Sequence, residues 1–175
     1  MAGSLIKIDE EIVTSAVGSV DLGGANWDSS YDVYMVRGNN IVVDTDAKQW
    51  NLRVLKSSSP DVTSNYDFAY KQLRADTTFG NGAVTNSTFY GATFLGTAGN
   101  EDGNFLLYLY NFNSSSEYSF ITTEESSRGS SGQLIGSTGG VVHTVASASN
   151  GIRISCNNGV NNFTSATFTL YGLAK

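Results

Sequence analysis

About ten short stretches of this chain alternate apolar and polar side chains with a period of two, and Gly, Ser and Asn cluster between them. The last is the plainest: Ala166, Phe168 and Leu170 point one way, and Thr167, Thr169 and Tyr171 the other. "VGSVDLG", "YDVYMVRG", "IVVD", "WNLRVLK", "STFYGATFLG", "FLLYLYNF", "EYSFITTEE", "VVHTVAS" and "GIRISC" follow the same habit. "NYDFAYKQLRAD", from Asn65, also satisfies helical spacing, but its aromatic content favours a strand. Strands so closely spaced, with no amphipathic helices between them, exclude βαβ units and predict an all-β sandwich or barrel. "FLLYLYNF" (Phe105 to Phe112) is apolar on both faces, which suits the middle of a two-layer sandwich or a subunit interface.

Composition supports this class. Charged residues make up 15% of the 175, well below the usual quarter or so, and Gly alone contributes 19. The polar surface is therefore built from Ser, Thr, Asn and Gly, which favour turns and strands over helix interiors. A net charge of −6 and the absence of any Lys or Arg run exclude a phosphate-tracking surface, so no nucleic-acid partner is expected. No apolar run is long enough for a membrane helix, and Lys7, Asp9, Glu10 and Glu11 interrupt the start as a signal peptide would not allow. "DEEIVTSAV", from Asp9, is the one fair helix candidate, as a single turn or part of an N-terminal arm. The stretch Ser126 to Gly140 reads as a long mobile loop, and "GNGAVT" (Gly80 to Thr85) as a turn.

Chemistry is sparse. His143 is the only histidine and Cys156 the only cysteine, so neither a disulfide nor a zinc site of ordinary type can form within the chain. His143 reads as a packed or surface residue of a strand, and Cys156 as a small apolar filler at a strand end. Asp44 with Asp46, and Glu101 with Asp102, have the oxygens to bind calcium but match no calcium-loop pattern; "GNEDGN" reads equally as a hairpin turn with Asp102-Gly103 at its tip. Glu124 and Glu125 read as a solvated strand edge. Trp27, in "GANWDSSYD", either stacks on a sugar ring or plugs an end of the sandwich. These residues predict no enzyme, no metal and no cofactor.

"LIKIDEEIVTSAV", "SSYDVYMVRGNN", "NYDFAYKQLRADTTFGN", "LYLYNFNSSSEYSF", "GGVVHTVASASNGIRI" and "TFTLYGLAK" run in order from Leu5 to Lys175. In that order the chain resembles small virion structural or tail-fibre-like proteins of tailed bacteriophages, notably marine ones. The resemblance implies a non-enzymatic virion protein, assembled in the host cytoplasm, with a two-sheet antiparallel jelly-roll sandwich over residues 17–175. It would form a homotrimer that decorates or cements the shell of major capsid protein. An N-terminal arm, residues 1–16, would anchor it through Leu5, Ile6, Ile8, Ile12 and Val13. The alternative is a tail-fibre or receptor-binding module that recognises a host surface glycan, with Trp27, Tyr31 and the stretch from Ser126 to Gly140 as its contacts.

Overall fold

Thirteen strands form two antiparallel sheets packed face to face in the computed structural model, which describes residues 4–76, 79–91, 94–130 and 132–174. In chain order they are β1 (Leu5–Val13), β2 (Ser19–Gly23), β3 (Val33–Val43), β4 (Lys48–Lys56), β5 (Ser59–Pro60), β6 (Tyr66–Arg74) and β7 (Gly80–Ser87). There follow β8 (Phe94–Leu95), β9 (Gly103–Tyr110), β10 (Ser119–Arg128), β11 (Leu134–His143), β12 (Gly151–Cys156) and β13 (Phe163–Leu173). The large sheet has the order β1-β13-β3-β9-β10-β11-β6-β7; the small one runs β2-β12-β4-β5, with β8 beside β4. Two single 3-10 turns, Gly24–Asn26 and Asn157–Gly159, are the only helical pieces among the described residues. Eight strands against five is compatible with the expected jelly-roll without singling it out.

The alternation read from the sequence decides which side chains meet between the sheets. Phe105, Leu107 and Leu109 of β9, Tyr34, Val36 and Ile41 of β3, and Phe168 and Leu170 of β13 face Leu22, Trp50, Leu52, Val54, Ile152 and Ile154 of the small sheet, all buried. The Trp50 ring stacks on Phe105 at 4.4 Å between centroids and meets Tyr90 edge-on at 5.6 Å. Cys156 ends β12 fully buried opposite Trp50, as an apolar filler; burial pushes its thiol up to about 12.

Several segments differ from expectation. Residues Leu5–Val13 form no arm and no helix: β1 is an edge strand of the large sheet, paired with β13 from Leu5↔Leu173 to Val13↔Ala166. "YDVYMVRG" and "IVVD" are not two strands but one, because β3 runs on through Gly38, Asn39 and Asn40 with a bulge between Gly38 and Ile41, where Asn40 takes a positive φ of 50°. The stretch Ser126 to Gly140 is no loop but the end of β10, a tight connection and most of β11, with Ser131 outside the described residues. Two of its glycines answer crowding: a Cβ on Gly136 would stand 2.7 Å from Glu125 O, and one on Gly139 2.5 Å from Ala69 O. "GNGAVT" is likewise strand, the start of β7 at the far edge of the large sheet. Asp102-Gly103 is not a hairpin tip; Gly103 opens β9, and the turn lies at Ala98–Glu101, closed by Glu101 N donating to Ala98 O at 2.8 Å.

Candidate functional site

Groups able to do chemistry fall into two buried clusters, both spent on holding the sheets together. Tyr90 pairs its backbone with Leu52 of β4 (2.8 and 3.0 Å) and sends its hydroxyl across to β10. There it donates to Glu125 and lies 3.1 Å from Thr123 Oγ1. Burial and the facing carboxylate hold the Tyr90 hydroxyl well above its usual range, so it stays a donor. Glu125 is 7% exposed, whereas Glu124 beside it is exposed on the opposite face. The expected solvated edge is wrong for both as an edge, because β10 lies inside the sheet between β9 and β11, and holds only for the solvation of Glu124. The two carboxylates point to opposite faces and cannot work as a pair.

Asp61 accepts from Thr63 N at 2.9 Å and also from the Thr63 hydroxyl. His143 Nε2 lies 2.9 Å from its other oxygen, with Lys56 Nζ at 3.9 Å. Burial raises the Asp61 carboxyl, but the Thr63 bonds and His143 outweigh it and leave it below the usual value. His143 is fully buried, and desolvation outweighs Asp61 to set its pKa below 6.5. It is therefore neutral, with Nε2–H donating to Asp61, and its Nδ1 has no hydrogen-bond partner. Tyr66, register partner of His143, accepts from Val54 N at 3.0 Å and donates to Asp61 O at 3.1 Å.

The other carboxylates hold loops in place. Asp44 accepts from Asn162 N and Nδ2 at 3.1 and 2.8 Å, Asp46 from Thr97 N at 2.9 Å, and Glu101 from Ala98 N at 3.0 Å. No three His, Cys, Asp or Glu side chains converge as metal ligands among the described residues.

Trp27 and Tyr31 come together at one end of the sandwich. The Trp27 ring lies 4.0 Å from Tyr34 and 5.9 Å from Phe112, packed against the core. Tyr31 meets Tyr34 edge-on at 6.1 Å and covers Gly172, where a Cβ would stand 2.3 Å from its ring. The residue organising this end is Asn113, marked in the sequence only by the glycosylation triplet Asn113-Ser-Ser. Its Oδ1 accepts from Trp27 Nε1 at 3.0 Å, and its Nδ2 lies 3.1, 2.7 and 2.8 Å from Ser29 O, Tyr31 O and Tyr34 Oη. The free edge of Trp27 looks onto a shallow cleft of about 290 Å³ shared with Ser29, Ser57, Asn113, Ser149 and Asn150. Tyr31 does not line it.

The remaining surface of interest is the outer face of the large sheet. Ile8 and Val13 of β1 turn toward the core, Leu5 and Ile12 stand on the outer face 49% and 62% exposed, and Ile6, paired with Gly172, is 44% exposed at the edge on the other side. Val33, Tyr110, Phe120 and Val142 continue one transverse line, and Met35 and Tyr108 lie in the next. Further along the strands one transverse row reads Glu10, Thr169, Arg37, Leu106, Glu124, Thr138, Lys71, one residue from each of seven neighbouring strands. A groove of about 560 Å³ opens at Leu106, with Arg37 and Glu124 on its two sides. No family model, no curated protein and no solved structure matches the chain.

Proposed function

We propose that the chain is a non-enzymatic structural protein of a tailed-bacteriophage virion, acting as a decoration or cement protein on the capsid shell. The observation that carries this reading is how the side chains are divided. Glu125, Tyr90, His143 and Asp61 are bonded inside the sandwich, while the outer face of the large sheet carries an apolar, aromatic band. A protein built in that way works through the surfaces it presents. Leu5, Ile6 and Ile12, held on an edge strand, replace the flexible arm as the apolar contacts offered to neighbouring virion proteins. Counting copies per particle against the major capsid protein, by quantitative mass spectrometry of purified virions, tests the proposal. A ratio near one to one supports shell decoration, whereas absence from the particle defeats it.

A second reading, recognition of a host surface glycan, is favoured by the Trp27 cleft. The part-exposed Trp27 ring beside Ser57 and Ser149 offers an aromatic surface and hydroxyl groups of the kind that sugars use. A few copies per particle together with a ligand on a glycan array would favour this reading; a silent array would remove it.

A further inference from the structure

On the small sheet, opposite charges on adjacent strands satisfy one another: Arg153 of β12 donates to Asp21 of β2 at 2.7 Å through both Nε and Nη2. The large sheet is arranged differently. Along its transverse row the charges alternate in sign on every second strand: Glu10 on β1, Arg37 on β3, Glu124 on β10 and Lys71 on β6. Strands lie about 4.8 Å apart, so Arg37 and Glu124 stand about 10 Å from each other across Leu106. No ion pair joins them among the described residues.

The row is antisymmetric in charge about Leu106. Arg37 and Glu124 lie one strand to either side of it, and Glu10 and Lys71 three strands to either side, each pair opposite in sign. A two-fold axis in the plane of the sheet, along β9 and through Leu106, therefore places Arg37 of one copy over Glu124 of another, twice. The same axis brings Val33 over Phe120, and the bulky Tyr171 over Gly140, where a Cβ would meet nothing closer than 3.8 Å. The other in-plane axis, across the strands, would set Arg37 on Arg37 and Glu124 on Glu124. We propose that the outer face of the large sheet binds a second copy of this chain about the axis along β9.

The inner pair determines the fit. Sheet twist of about 20–25° per strand carries the outer strands apart, and Glu10 already holds Lys7 at 3.0 Å. The five central strands cover about 19 by 26 Å, or about 1,000 Å² over both copies, which is just enough for a specific interface. The groove at Leu106 leaves room for the two guanidinium–carboxylate pairs. This pairing rests on the face alone and does not need the virion reading; it replaces the trimer implied by the resemblance.

Sedimentation velocity over a range of concentrations tests it. The wild-type chain should pass reversibly from monomer to dimer. Arg37→Glu or Glu124→Arg alone should weaken the dimer at least about tenfold, because each sets like charges face to face twice. The double exchange Arg37→Glu/Glu124→Arg should restore it, since both contacts become opposite again. Leu106→Cys on the axis should cross-link to its own copy with a short bifunctional maleimide, facing sheets lying about 10 Å apart; Val160→Cys, in an exposed loop, should not. The buried Cys156 keeps the background low. A monomer throughout, a trimer, or a double exchange no better than the single ones would overturn the proposal.

Discussion

β9 and β10 are neighbours in one sheet, yet their inward faces are opposites. β9 sends in Phe105, Leu107 and Leu109, whereas β10 sends in Ser119, Ile121, Thr123, Glu125 and Ser127, all buried. The difference follows from what covers each. β9 lies over the small sheet, with Trp50 against Phe105. β10 lies beyond much of it, under the connection that carries Tyr90 and β8: Tyr90 donates to Glu125, and Ser127 Oγ sits 3.1 Å from Phe94 O. A sheet strand can match a partner sheet with hydrocarbon. A loop presents peptide groups and so calls for hydrogen bonds beneath it. The β9 half of this sandwich is therefore held by apolar burial, and the β10 half by apolar burial supplemented with a few specific polar contacts.

Four measurements press on that contrast. Leu107→Ala removes a fully buried side chain from the apolar half and should cost about 2–5 kcal/mol in urea unfolding. Tyr90→Phe leaves the polar half its shape but takes the donor from a buried carboxylate, which should cost about 1–3 kcal/mol. A larger loss for Tyr90→Phe than for Leu107→Ala would break the comparison. Alkaline titration should separate the halves again. The folded state holds the Cys156 thiol up to about 12, so stability is complete below about pH 9 and falls as pH rises toward 12. Cys156→Ala should remove that limb, while the loss linked to Tyr90, whose hydroxyl is also held high, should remain. The smallest effect lies on the acid side. His143 has a lowered pKa, so the unfolded chain takes up a proton that the folded one refuses, and stability declines below about pH 6.5. Asp61, also lowered, adds a further loss as pH falls below about 4, and His143→Asn should remove the first step and shrink the second, because His143 helps hold Asp61 low.

The strands were legible because period-two alternation is a local property. "FLLYLYNF" and "NYDFAYKQLRAD" show it, and β9 and β6 match them closely. What the sequence hid depends on neighbours far along the chain. "GSTGG" looks like a loop until the backbones of β6 and β10 are seen pressing on Gly139 and Gly136. Leu5–Val13 looks like an arm until β13 supplies its partner, some 160 residues later. Glu125 looks solvated because nothing local announces Tyr90, and Asn113 is one more asparagine until Trp27, Tyr31 and Tyr34 gather round it. The candidate surfaces were legible only in part: Trp27 was found without the residue that fixes it, and the charge row appears only once seven strands are in register.

The place of β13 between β1 and β3 has a consequence in time. The two early strands are not each other's neighbours, and β13 must pair with both. On a ribosome, β1 and β3 emerge long before their shared partner and wait with unpaired edges while the rest of the chain is made. Contacts of such sequence separation fold slowly, on the scale of milliseconds to seconds. The large sheet of this molecule is thus joined late, by the insertion of a single strand.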